Sequence, residues 1–266
     1  MSDLLMTLKI EALTRFPIKG LSGHTLDSVK LDAGQGFPCD RIFGFARPNC
    51  GFDPSDPKPL PKTKFYMLAR DANLALLATL YDEDTGILTL SAAGDSHRFD
   101  ISTADGKQEA SQFLKTYLSL SEEETPRLYV ASPHRFTDVS VDSVEMMNAV
   151  SIINLDSVDA FSKAIGQQVD PRRFRANIQV SGLSPFVELD MVGQEIQVGP
   201  IRLKIVKRTR RCPATEVNLK TAERDIRTPK LLREHYGHMD MGVYAQVVQG
   251  GILKSGSTGR IDNVPL

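Results

Sequence analysis

The chain has 266 residues, 41% of them hydrophobic, and a formal net charge of -1. That length allows one large domain or two modest ones around a core of ordinary size. Acidic and basic residues nearly cancel, so no global field speaks for nucleic acid or an anionic membrane as a partner, and any anion site has to be a local basic cluster. The cysteines, Cys39, Cys50 and Cys212, are odd in number and lack CxxC spacing. They make neither a disulfide framework nor a zinc ribbon, which points to a reducing, cytoplasmic setting. The N-terminus lacks a basic flank and a long apolar run, so no signal peptide is expected. No stretch of about 18 apolar residues predicts a membrane span.

In chain order, Leu8, Ile10 and Ala12 alternate with Lys9 and Glu11, which predicts a first strand. Phe16-Pro17-Ile18-Lys19-Gly20 leads into a loop with Ser22 and Gly23, then a strand over 26–31, Asp40-Arg41 and a buried strand over 42–46. Residues 47–62 are Pro-dense and read as exposed loop, because such segments do not pair in a sheet. Leu74, Leu77, Ala78 and Tyr81 predict an amphipathic helix over 71–81, capped by Asp71. A hairpin over 87–91 and 97–101 follows, then a helix over 107–118 with Ala110, Phe113, Leu114 and Tyr117 on one face. The polar stretch 119–126, with the solvated Glu122-Glu123-Glu124, divides residues 1–120 from 121–266.

The second half opens with a strand over 127–131 and an apolar strand over 150–153 ending at Asn154. A short helix through Val158, Phe161 and Ile165 is capped by Asp156 or Ser157. A strand over 178–180 and two more punctuated by Gly193, Gly199 and Pro200 lead to a helix over 229–234 with Pro at its first turn. Strands at 243–248 and 252–253 close the chain. Many short strands with a few helices make a β-rich α+β protein.

The chemistry concentrates near Cys212. Ile201, Leu203 and Ile205 alternate with Arg202 and Lys204 as a half-buried strand, which runs into Lys207, Arg208, Arg210, Arg211 and then Cys212-Pro213. Nearby cations favour thiolate over thiol, and the thiolate is the nucleophile and metal ligand. A free cysteine is more commonly a buried, inert thiol, and the residues alone leave both readings open. Lys19, Arg41, and Arg172, Arg173 and Arg175 with Asn177 form further basic clusters. On an extended chain Arg173 and Arg175 face one way and Phe174 the other. Two guanidiniums on one face suit a phosphate or other multivalent anion through bidentate contacts. For any one arginine, a surface ion pair is the commoner role. His235 and His238 have the spacing of a helical metal pair, but Gly237 falls between them, and a helix end with a hydrogen bond is the default. His134 and Asp138 suggest acid–base work with no nucleophile beside them. No GxGxxG, P-loop or GxSxG motif is present.

Taken together, these residues resemble the MOSC domain shared by molybdenum cofactor sulfurases and amidoxime-reducing molybdenum enzymes. The carrying residues are Val150 to Asn154 with Ser157; Arg172-Arg173-Phe174-Arg175-Ala176-Asn177; Arg211-Cys212-Pro213-Ala214-Thr215-Glu216-Val217-Asn218; and Tyr236-Gly237-His238 before Gly242-Val243-Tyr244, with Gly250-Gly251-Ile252. The first half resembles the β-barrel domain usually found before it, through Phe16 to Gly20 and Asp40-Arg41. The resemblance implies a N-terminal β-barrel-like domain with helices over 1–120 and a MOSC β-barrel domain over 121–266. It implies the molybdenum cofactor (molybdopterin), with Cys212 as the thiolate ligand of molybdenum. Lys19, Arg41, Arg173, Arg175 and Asn177 would hold the pterin and its phosphate, with Arg211 in the same cluster and Asn154, Ser157 and Thr215 lining the pocket. A soft sulfur ligand suits such a metal.

There are departures from the family pattern. Gly20 follows the lysine where serine is frequent, with Ser22 a possible substitute; Asn218 and Ser257 stand where aspartate is common. No cysteine follows Cys212, so no iron–sulfur cluster is expected, and no haem. Pyridoxal phosphate enters only at family level, because this chain has no desulfurase domain. Three functions follow in order: a molybdenum-cofactor oxidoreductase reducing N-hydroxylated or N-oxide-type small molecules with electrons from a separate donor protein; a non-redox carrier of sulfur or cofactor on Cys212; and an anion-binding protein with an inert cysteine.

Overall fold

A computed structural model describes residues 6–261. The elements are β1 (Met6–Arg15), β2 (His24–Leu26), β3 (Ser28–Leu31), β4 (Phe43–Ala46), β5 (Ala78–Asp82), β6 (Ile87–Ala92), β7 (Asp95–Asp100), α1 (Ala104–Tyr117) and β8 (Arg127–Val130). They continue as α2 (Val144–Met147), β9 (Val150–Asn154), α3 (Leu155–Ile165), β10 (Ile178–Ser181), β11 (Glu195–Val198), β12 (Ile201–Arg210), α4 (Thr228–Tyr236), β13 (Asp240–Gln249), β14 (Gly251–Lys254) and β15 (Thr258–Ile261). This is the β-rich α+β fold that the strand pattern implies.

The main sheet runs β10-β9-β13-β12-β11-β15-β1, and β1 also pairs with β10, so it closes into a barrel. The first strand of the chain is thus the stave that completes a barrel otherwise made by the second half. Its interior is filled by the inward set of each strand, with Leu8, Ile10 and Leu13 of β1 against Ile201, Leu203 and Ile205 of β12. The period-2 alternation read in the sequence produces this for β12 and for Leu8 and Ile10, because successive side chains point to opposite faces; a register shift between Ile10 and Ala12 then turns Leu13 inward in place of the expected Ala12. The rest of the first half builds a second core from the β5-β6-β7 sheet, α1 and the β4–β8 pair. Ala110 and Leu114 of α1 are fully buried, while Phe113 and Tyr117 pack at its edge.

Four local expectations are corrected. Residues 71–81 do not form a helix: Ala72–Leu76 is a single 3₁₀ turn and 78–82 is strand β5, paired with β6. Leu74 and Leu77 are buried as the helical spacing requires, but Thr79, Leu80 and Tyr81 favour a pleated surface and a partner strand was available. Asp71 caps nothing; its carboxylate accepts from Arg47 and from the Met67 backbone. α3 is capped by Asn154, whose Oδ1 accepts from Asp156 N at 3.1 Å, rather than by Asp156 or Ser157. Residues 171–174 form a 3₁₀ turn, not an extended chain, and Arg175 takes the left-handed conformation at φ 53°. The Pro-dense loop is not wholly exposed, since Cys50 and Phe52 are buried. Phe52 joins Phe65, Phe136 and Tyr129 in an aromatic cluster, with Phe65 and Phe136 packed where a Cβ on Gly44 would sit.

One glycine reverses an ordinary rule. Gly106 lies in the first turn of α1, where propensity alone makes Ala better by about 1 kcal/mol. A Cβ there would stand 1.9 Å from the Asp100 carbonyl oxygen. Gly106→Ala is therefore expected to lower stability by about 1–3 kcal/mol in urea unfolding. An unchanged or raised midpoint would contradict this packing.

Candidate functional site

The cleft with the densest charge lies where β12 leaves the barrel. Two register shifts near the end of β12, between Ile205 and Lys207 and between Arg208 and Arg210, interrupt its alternation. Bulges of this kind re-aim side chains. Lys207, Arg208, Thr209 and Arg210 all line the cleft, whose volume is about 230 Å³. Cys212 follows at the start of the 3₁₀ turn Pro213–Glu216. Its carbonyl accepts from Thr215 N at 3.0 Å and Thr215 Oγ1 at 2.9 Å, and Thr215 O accepts from Thr228 Oγ1 at 3.1 Å. Cys212 is half-buried and lines the cleft.

The structure brings Lys19, Arg41, Arg173, Arg175, Asn177, Arg211 and Thr215 to the same cleft as Cys212. Arg211 is buried, stacked over Phe174 at 5.0 Å, and donates to Met241 O at 2.7 Å and Phe174 O at 3.0 Å. Gly242, at φ 74°, leaves it room, since a Cβ there would lie 3.0 Å from Nη2. Burial pushes the Arg211 guanidinium down to about 10. Arg173 is held bidentately by Asp225 at 2.7 and 2.8 Å and donates to Glu216 O at 3.0 Å. Arg175 and Arg41 both lie over the Phe16 ring, at 4.5 and 4.9 Å. Burial, then the Arg41 charge, push Arg175 down to about 9. Arg175 donates to Leu21 O, and Arg41 donates to Asp40 and to Arg175 O. Asn177 is a brace: its Oδ1 accepts from Ser151, and its Nδ2 donates to Asp40 at 2.9 Å and Thr14 O at 3.2 Å.

Three polar atoms in this wall are buried without a partner: Arg173 Nε, Arg211 Nη2 and Thr209 Oγ1. Buried donors are normally satisfied, and leaving one unmade costs about 1–3 kcal/mol. Among the described lining residues Asp138 is the one acid, against nine basic side chains. A cation-rich wall is complementary to a multivalent anion.

Two expected residues are elsewhere. Asn154 and Ser157 are fully buried behind the cleft, not in its lining. Both bind Glu188: Ser157 Oγ donates at 2.8 and 2.9 Å and Asn154 Nδ2 at 3.1 Å. Burial raises the Glu188 carboxyl, and its charge acts on Arg211. They reach the site only through that relay. Conversely, the sequence did not single out Lys62 and gave Tyr244 only as part of a motif, yet both line the cleft. Asp138 had been paired in sequence with His134, but it is held by Lys19 and by Lys62 at 3.3 Å, while His134 sits between Phe52 and Phe136. Nothing in the spacing of Lys62 signals its role; the fold of the Pro-dense loop supplies it. His238, at the end of α4, accepts from Asp240 N at 3.2 Å, as a helix-end role requires. Cys39 is outside the cleft, donates to Glu83 at 2.7 Å, and burial followed by that bond pushes its thiol up to about 11.

Among the described residues, no helix is long and apolar enough to cross a membrane. The family model for the MOSC domain matches residues 133–258, and that for the MOSC N-terminal beta barrel domain matches residues 7–132. No curated protein matches the chain. Among solved structures, the YUAD protein from Bacillus subtilis is 13% identical over 99% of this chain and 100% of that one, with a TM-score of 0.46. YiiM from Geobacillus stearothermophilus is 18% identical over 42% of this chain and 53% of its own, at a TM-score of 0.33. YiiM from Escherichia coli is 14% identical over 42% and 53%, at 0.32.

Glu188 yields a pH test. Its folded carboxyl holds a proton more tightly than an unfolded Glu at about 4.3. The stability it contributes is therefore present below that value and lost as pH rises through the folded pKa. Glu188→Gln mimics the protonated acid, so the stability gap should be smallest at about pH 4 and widen towards about pH 8, where the wild type alone loses stability. Glu188→Ala strands Asn154 and Ser157 and should cost about 1–3 kcal/mol. Urea unfolding across this pH range checks both.

Proposed function

The chain belongs to the MOSC-domain proteins that carry an N-terminal MOSC beta barrel domain, and from that premise we propose that it is a molybdenum-cofactor oxidoreductase reducing N-hydroxylated or N-oxide-type small molecules. The family is associated with the molybdenum cofactor. The observation that carries the reading is the convergence of Cys212 with buried guanidiniums whose Arg173 Nε and Arg211 Nη2 have no partner. Those residues fit the cofactor: a soft thiolate for the metal and charge-assisted donors for the anionic pterin phosphate.

Cys212 would hold the metal, and Lys19, Arg41, Arg173, Arg175 and Arg211 would hold the anionic part. When bound, the cofactor supplies the two-electron chemistry, while the protein supplies position and electrostatics. Breaking an N–O bond takes two electrons and two protons and releases water, leaving the N–H compound from an N-hydroxylated substrate or the free amine from an N-oxide. The electrons would come from a separate donor protein. The chain's own contribution is to orient the substrate at the mouth beside Cys212 and to keep the cationic wall in place through Asp225, Asp40 and the backbone carbonyls that hold it.

Metal and pterin analysis of protein purified from a cofactor-competent host is the test. About one molybdenum per chain is expected in the wild type, with loss in Cys212→Ser. Absence of molybdenum and pterin in the wild type, with a persulfide on Cys212 by mass spectrometry, would replace the oxidoreductase with a sulfur carrier. Arg175→Ala should loosen the cofactor by about 1.5–3 kcal/mol, the worth of one charge-assisted bond. Unchanged pterin retention in a dialysis series would remove Arg175 from the site.

A further inference from the structure

A second cavity, of about 880 Å³, lies where the outside of the barrel meets the core of the first half. The barrel contributes Ala12 and Thr14 of β1 and Gln179 of β10, the neighbours of inward Leu13, Ile178 and Val180. The first half contributes the Ala72–Leu76 turn and Ala78, the first residue of β5. Of its lining only Arg175 and Leu68 also line the cleft beside Cys212, so the two spaces are distinct. Small-molecule sites typically measure roughly 300–1,000 Å³, with mostly apolar walls and a few placed polar groups.

The walls follow that pattern. Phe16, Leu68, Leu74 and Leu77 are buried in the lining, while Leu76 keeps 38% of its surface exposed with no apolar cover. Among the polar groups His24 stands out. Its Nε2 accepts from Arg15 Nε at 3.2 Å, which places the ring proton on Nδ1. That Nδ1 is buried and has no partner. Burial, then the Arg15 charge, hold His24 below its ordinary value, so it stays a neutral donor. A buried donor left unmade is costly and rare, and a ligand acceptor would relieve it.

The charges in the lining are Arg172, Arg175 and Lys220 against Asp170. Asp170 is taken by Arg172, whose Nε reaches both of its oxygens at 3.0 Å. Arg175 is bonded to Leu21 O. Among the described residues Lys220 has no carboxylate partner, and its backbone is held by Asn218 Oδ1 at 2.8 Å. One free ammonium and one neutral N–H suit a single negative charge, unlike the crowded cations of the cleft. A neutral alcohol can fill the apolar walls and accept from His24, but leaves the ammonium to water. Inorganic phosphate has no apolar body to bury.

We infer that this cavity is a second ligand site, for medium-chain carboxylic acids, with His24 Nδ1 and Lys220 as donors to the carboxylate and the leucines around the chain. The inference stands apart from the cofactor reading, because neither donor lines the cleft.

Calorimetric titration of the purified full chain with octanoate, 1-octanol and inorganic phosphate tests it. Octanoate should bind about 10-fold or more tightly than 1-octanol, the worth of one charge-assisted bond, and phosphate should not compete with it. Leu76→Asp and Lys220→Glu, both at exposed positions, should weaken octanoate about 10-fold and about 3-fold respectively. His24→Phe, which keeps a ring and removes the N–H, should weaken octanoate and 1-octanol together. Val144→Asp, at an exposed valine outside the cavity, should leave octanoate binding as in wild type. The site is overturned if octanoate does not bind, if 1-octanol binds as tightly, if phosphate competes, if Leu76→Asp and Lys220→Glu bind octanoate as wild type does, or if Val144→Asp weakens it as much as they do.

Discussion

The constraint behind this architecture is the burial of several cations in one wall. Taking a charge out of water costs several kcal/mol unless it is paired and hydrogen-bonded. The chain meets that cost by tying each guanidinium to carboxylates or backbone carbonyls, and two of them divide their nitrogens between tasks. Arg211 gives Nε and Nη1 to backbone carbonyls and keeps Nη2 unmatched; Arg173 gives both Nη atoms to Asp225 and keeps Nε unmatched. Lysine, a point charge without a fork, could not hold both geometries at once. The same division explains why Asp40, Asp225 and Glu188 stand behind the wall: they offset part of the charge without closing the front.

Such a wall needs a rigid backing, and barrel closure provides it. Because β1 pairs with β10 as well as β15, the barrel has no open edge between them. β1 also sets the start of the segment through Phe16, Ile18 and Lys19. Arg41 N donates to Phe16 O at 2.6 Å, and Lys19 N donates to Phe43 O at 2.9 Å. Side chains separated by well over a hundred residues therefore share one surface, with the guanidiniums of Arg41 and Arg175 both over the Phe16 ring. Cation–π contact lets that ring sit against both charges where an aliphatic side chain would only desolvate them.

Where local pattern and tertiary partner agreed, the sequence was readable. The alternation in β12, the amphipathic face of α1 and the Pro-start, Gly-end punctuation of α4 each carry their signal within a dozen residues. Where they disagreed, the partner won. Residues 71–81 have helical spacing, yet β6 recruits 78–82 into a sheet. The basic cluster around Cys212 was legible because motif and chemistry coincide there. Asn154 and Ser157 were recognisable as special, but not as the holders of Glu188, because a buried acid thirty residues away leaves no trace in their own spacing. Lys62 was invisible for a like reason: a lysine in a Pro-dense loop is solvent-facing by default. Its position follows from the Ala46–Phe65 bridge and the anchoring of Phe52 among aromatic rings.

The contrast between Cys39 and Cys212 carries the argument a step further. Both thiols are half-buried, so burial alone does not tell them apart. Cys39 faces the Glu83 carboxylate, and burial with that acceptor holds it as a protonated donor. Cys212 faces Lys62 within a wall whose one acid, Asp138, is itself held by two ammonium groups. A thiol beside a carboxylate acts as a hydrogen-bond donor, whereas cationic neighbours favour the thiolate. What distinguishes Cys212 from Cys39 is thus the set of charges that the barrel and the Pro-dense loop bring to it from opposite halves of the chain.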